Sequence, residues 1–154
     1  VAPNLTVREN LEFIAGVYGF DKTTAKKKAE EMIDKFSLNE IEKSKAKTLS
    51  GGWQRRLSIA MALISEPQIL FLDEPTLGLD VIARRELWRI IESIKENVTI
   101  ILTTHYMEEA EKLSDRVAVM VQGTVKAVGT VQELLENTGK ENLEEAFVSI
   151  VEQM

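Results

Sequence analysis

At 154 residues, 44% hydrophobic and 29% charged, the chain is long enough to bury a real core and has the balance of an ordinary globular domain. No apolar run approaches a bilayer span and Val1–Asn10 carries no signal-peptide pattern, so neither a secreted nor a membrane-spanning chain is expected. The lack of Cys excludes disulfide and thiolate–zinc chemistry, and 25 acidic against 19 basic residues, net −6, argue against broad nucleic-acid binding.

Residues 5 to about 49 read as helical. Thr6 and Glu9, in T-V-R-E, make a capping-box pattern for a helix with the stripe Leu11, Ile14 and Ala15, ending near Gly16–Gly19. Asp21 caps a second helix along Ala25, Ala29, Met32, Ile33 and Phe36. Thr48–Arg56 then reads T-L-S-G-G-W-Q-R-R, with two glycines where a third helix begins. That helix, Trp53–Ser65, offers Leu57, Ile59, Ala60, Leu63 and Ile64 for burial, and Ser50 is placed to cap it through its hydroxyl. Glycine costs helix stability. The pair is therefore either a flexible turn or a bare helix N-terminus suited to an anion such as phosphate. These residues alone leave both open.

From Gln68 the pattern changes to strands alternating with helices. Ile69–Leu72 and Val98–Leu102 are nearly continuous apolar runs, as expected of strands buried on both faces of a parallel sheet. An amphipathic helix, Val81–Ile94, separates them. Val117–Val121 and Thr124–Val128 read as a hairpin through Gln122-Gly123. Thr130 with Glu133 caps a further helix, and Leu143–Val151 forms the last. The expected organisation is a helical subdomain at 1–49, a helix segment at 50–66 and an α/β core at 67–154.

The first strand runs into Asp73-Glu74-Pro75. Carboxylates at the carboxyl end of a parallel strand sit where α/β sheets bind ligands, and adjacent side chains diverge. One can then hold Mg²⁺, which takes few protein carboxylates, while the other faces elsewhere. A solvated turn is the plainer alternative. The second strand leads through Thr103-Thr104 to His105, the only histidine, at the tip of the neighbouring strand. A neutral imidazole there could accept from water or donate to a phosphate oxygen. A surface histidine remains the alternative.

Taken together, L-S-G-G at 49–52, I-L-F-L-D-E-P at 69–75, G-L-D at 78–80 and T-T-H at 103–105 resemble, in order and spacing, the nucleotide-binding domain of ABC-type ATPases. They correspond to its signature, Walker B, D-loop and switch histidine, and T-T-H-Y-M-E-E-A-E looks most like the drug- and polysaccharide-exporter branch. The resemblance implies a P-loop NTPase α/β core with a helical subdomain, and ATP and Mg²⁺ as ligands. By that resemblance Asp73 holds Mg²⁺, Glu74 is the general base and His105 contacts the γ-phosphate. Asp80 reaches across a dimer interface, and Ser50, Gly51 and Gly52 cover the ATP bound by a second nucleotide-binding domain. The implied setting is the cytoplasmic face of a membrane, on a separate permease that exports a substrate.

Two departures accompany it. Trp53 stands where the family often has Gln or another less bulky residue. G-x-x-x-x-G-K-[ST] is absent, since Gly139-Lys140 continues with Glu141. The P-loop, the adenine-stacking aromatic and the Q-loop are therefore expected to precede Val1, and residues 1–154 alone are expected to be inactive. A soluble ABC ATPase acting on ribosomes or DNA, and a non-catalytic module derived from the family, are the competing readings.

Overall fold

In the computed structural model, which describes residues 1–152, Thr6 starts helix α1 (Val7–Val17) with a reciprocal capping box. Its Oγ1 accepts from Glu9 N at 3.2 Å while Glu9 Oε2 accepts from Thr6 N at 2.7 Å. Asp21 starts α2 (Lys22–Lys35), its Oδ1 accepting from Thr23 N and Thr24 N at 2.9 and 3.2 Å. The faces predicted from the 3.6-residue period are those buried: Leu11 and Ala15 on α1, then Ala25, Ala29 and Ile33 on α2, followed by Phe36. Ile14 and Met32, also predicted on these faces, are half-buried. Gln153 and Met154, the end of the predicted 67–154 segment, lie outside the described residues.

After α2 the chain makes short 3-10 turns at Asn39–Ile41 and Ala46–Thr48 and returns to the start of α1. Val7 N donates to Ser44 O at 3.1 Å and Ala46 N to Leu5 O at 2.9 Å. Arg8 adds ionic ties to Glu42 and, at 2.7 Å, to Glu30, which raise its pKa, Glu42 contributing most. Helix α3 (Gly51–Leu63) packs against α1 and α2 and buries Leu57, Ile59, Ala60 and Leu63, with Ile64 just beyond.

Strand β1 (Ile69–Asp73), helix α4 (Val81–Ile94) and strand β2 (Thr99–Thr103) follow. The strands pair in parallel, with Ile69 opposite Thr99 and Asp73 opposite Thr103. Burial on both faces is not what the structure has. Leu70 and Leu72 are buried, whereas Ile69 (50% exposed), Phe71 (71%) and Ile101 (46%) stand on an open face. A continuous apolar run needs cover on both sides, and among the described residues this two-stranded sheet has it on one. On α4, Leu87, Trp88, Ile91 and Ile94 are buried.

The chain divides into two compact units, residues 1–103 and 104–154. The second contains α5 (Met107–Leu113), strands β3 (Val117–Val121) and β4 (Thr124–Gly129), α6 (Val131–Thr138) and α7 (Leu143–Glu152). The hairpin turns at Gln122 and Gly123 with φ of 48° and 76°, as a right-twisting tight turn requires. Thr130 and Glu133 make the predicted capping box. Val119, Leu134 and Leu143 form the core of this unit, with Ala127, Phe147 and Ile150 around it. Helix α5 was not expected. It is seven residues long with three glutamates, too short to display an apolar period, and it buries Glu109 and Leu113.

Candidate functional site

The tip of β1 is built through Thr103, its register partner on β2. The Thr103 hydroxyl donates to Asp73 Oδ1 and accepts from Glu74 N at 3.2 Å, while Thr103 O also accepts from Glu74 N at 3.1 Å. One hydroxyl thus fixes the Asp73 carboxylate and the backbone of Glu74. Asp73 is exposed. Glu74 is half-buried, with its Oε2 closed off from solvent.

Glu74 is held at φ 44°, in the left-handed region that costs a non-glycine residue roughly 1–3 kcal/mol. Among the described residues, three other non-glycine residues share that region. Ser37 and Glu66 follow helix ends and Gln122 sits in the hairpin turn, where such a conformation is the usual terminator or reversal. Glu74 takes it directly after β1, at neither a helix end nor a hairpin turn.

The glycine pair lies at the start of α3. Ser50 has N-cap backbone angles (φ −63°, ψ 162°), and its carbonyl accepts from Gln54 N at 2.9 Å. Its hydroxyl makes no cap bond, contrary to expectation, and the side chain is exposed. The first-turn amides thus have no side-chain acceptor, as a bare N-terminus requires. The glycines differ in cause. A Cβ on Gly52 would sit 3.2 Å from Ala83 Cβ on α4, so Gly52 allows these helices to approach. A Cβ on Gly51 would meet nothing nearer than Leu79 Cδ2 at 3.7 Å, an ordinary contact. Packing explains the second glycine and leaves the first without a reason inside the chain.

Asp80 caps α4, its Oδ1 accepting from Ile82 N and Ala83 N at 2.9 and 3.0 Å, and is exposed. Gly51 faces Leu79 and Gly52 faces Ala83, so the residues flanking Asp80 lie against the glycine turn. His105 belongs to the second unit, where it is exposed and its ring lies 4.2 Å from that of Tyr106.

Thr103 was not singled out from sequence as a site residue. The signal was its register with Asp73, which only strand pairing supplies. The donors at the strand tip suit Mg²⁺, being hard oxygens of a carboxylate and a hydroxyl. No group of three or more His, Cys, Asp or Glu converges among the described residues. Such a set suits an ion completed by water and phosphate rather than an all-protein cage.

The family model for ABC transporters matches residues 1–77. The chain is 42% identical over 154 residues to the ABC-type organic anion transporter ABCA8B of Mus musculus, covering 99% of this chain and 10% of that protein. It is 39% identical over 148 residues to the linearmycin resistance ATP-binding protein LnrL of Bacillus subtilis, covering 96% and 48%. To the daunorubicin resistance ATP-binding protein DrrA3 of Streptomyces coeruleorubidus it is 40% identical over 138 residues, covering 89% and 44%. A solved ATP-binding subunit of an ABC transporter superposes with a TM-score of 0.79 at 28% identity, over 98% of this chain and 64% of that one. The fold is thus that of an ABC ATPase, of the P-loop NTPase type. The chain belongs to the ABC transporter family, and it spans from a tenth to about half the length of these curated relatives.

Proposed function

We propose that this chain is part of an ATP-hydrolysing subunit that drives export through a separate transmembrane permease. The observation that carries the reading is the β1 tip, where a strained Glu74 is pinned beside Asp73 by Thr103. Asp73 with the Thr103 hydroxyl would hold Mg²⁺, which when bound neutralises phosphate charge. Glu74 Oε accepts a proton from the attacking water. His105, in the second unit, is read as a donor to a γ-phosphate oxygen. Ser50, Gly51 and Gly52 present free amides to the phosphate held by a second nucleotide-binding domain, and Asp80 reaches toward that same site. Two such domains are needed for each complete pair of sites. The drug-resistance relatives LnrL and DrrA3, named as ATP-binding proteins, support export as the task. No described helix is long and apolar enough to cross a membrane, which accords with a separate permease and a peripheral place on its cytoplasmic face.

Phosphoryl transfer depends mainly on positioning and electrostatics, so the test is a change that keeps shape and removes the base. Glu74→Gln in the full-length protein is expected to keep ATP binding and to lose at least about a hundredfold in turnover, the lower end of what general-base catalysis contributes. A near-normal rate would move the base to another residue.

A further inference from the structure

Trp53, bulkier than the residue the resembling family often has at that position, has a partner inside the chain. Arg56, three residues on and so on the same helix face, is buried at 8% exposure. Its guanidinium carbon lies 4.4 Å from the centre of the Trp53 ring. The same guanidinium donates through Nη2 to Glu86 Oε2 on α4. A buried cation needs a countercharge, here the exposed Glu86 carboxylate, and the ring face supplies further attraction to the guanidinium. The bridge therefore fastens α3 to α4 about one turn beyond the point where Gly52 meets Ala83. The start of α3 carries Ser50-Gly51-Gly52, and the N-cap of α4 is Asp80.

We propose that Trp53, Arg56 and Glu86 form a clamp that makes these helix starts one rigid edge, presenting the glycine turn and Asp80 together to the nucleotide of the partner domain. They are positioning residues, acting through the turn without touching phosphate. The role of Trp53 follows from its chemistry: Gln lacks the ring face that shelters the guanidinium. The clamp rests on the trans-site reading above, so its test must separate the two.

Mixed dimers of the full-length protein do so. Glu74→Gln placed in one subunit leaves only the other subunit's site to be read. With Trp53→Gln or Glu86→Gln in one subunit, the opposite subunit's site is expected to lose about tenfold to a hundredfold in kcat, with KM for ATP within about twofold, as for a group misplaced by a fraction of an ångström. Trp53→Phe should retain most activity, and Arg56→Glu combined with Glu86→Arg should recover part of what either loses alone. Equal losses at both sites, or at the variant subunit's own site, would reduce the clamp to ordinary packing and overturn the proposal. So would unchanged turnover. Ser50→Arg is the control. If it damages the opposite site while Trp53→Gln and Glu86→Gln do not, the clamp alone fails. If Ser50→Arg also spares the opposite site, the trans reading itself has failed.

Discussion

Adjacent glycines with the same apparent purpose turn out to answer different demands. Gly52 is there because Ala83 is 3.2 Å from where its Cβ would be, whereas Gly51 has an open face toward solvent. Gly52→Ala should therefore push α3 from α4 and cost about 1–3 kcal/mol, the usual toll of overpacking. Gly51→Ala should leave stability unchanged or raise it by up to about 1 kcal/mol, since alanine is the better helix former. Its methyl would nevertheless stand in front of the free amides, so turnover in the assembled protein should fall. Chemical denaturation and ATPase rates on the same two variants separate the effects. A Gly51→Ala protein with full activity would mean that nothing approaches that turn.

Helix entry is the strongest local device in this chain, and it carries a pH signature. Asp21 is held below the usual carboxylate range, first by the Thr24 hydroxyl and then by the Thr24 and Thr23 amides. Glu9 is likewise lowered, first by the Thr6 backbone amide and then by its hydroxyl. A carboxylate whose folded pKa is depressed contributes stability that is full above its unfolded pKa. That contribution is lost as pH falls through the lower folded value. Asp21→Asn keeps an acceptor at the cap and removes the titration. Thermal unfolding across the acid range should show a shallower decline for this variant than for the parent, with little change at neutral pH. Identical acid limbs would place the acid sensitivity elsewhere. At the same scale, α1 leaves Phe13, Val17 and Tyr18 exposed, each more than half. If the helical region receives the permease, crosslinks from Phe13 should reach the membrane subunit. Crosslinks found only at β1 and β2 would remove that role.

Across the molecule, the open face of the β1–β2 sheet dominates the behaviour expected of residues 1–154 alone. Ile69, Phe71 and Ile101 lie exposed on it, and β1 and β2 pair only with each other among the described residues. Burying such side chains is worth about 1.5–3 kcal/mol each, a large share of a domain's net stability of about 5–15 kcal/mol. Unpaired apolar edges also recruit other chains. A polypeptide limited to these residues is expected to self-associate, and Phe71→Ser to weaken that association without lowering the unfolding midpoint. Light scattering coupled to size exclusion reads the first, and thermal unfolding of dilute samples the second. A monomeric, cooperatively unfolding parent would show that this face needs no cover. The same polypeptide should not hydrolyse ATP, because no P-loop backbone and lysine are present to hold the β- and γ-phosphates.

By itself the sequence determined what is governed by neighbours along the chain. The capping boxes of Thr6 and Thr130, the Asp21 start, the hairpin at Gln122-Gly123 and the buried stripes of α1 to α3 depend on side chains within a few residues, so spacing suffices to read them. The order of four short motifs was legible for the same reason, and it carried the family. Tertiary structure alone decided what depends on distant residues meeting. Thr103 joins the site because parallel register sets it against Asp73. Gly52 is required because another helix arrives beside it, and Trp53 acquires a role because Arg56 must be buried to reach Glu86. The apolar runs of β1 and β2 called for two covered faces, but cover is supplied by other layers of a fold, which no strand encodes in its own residues.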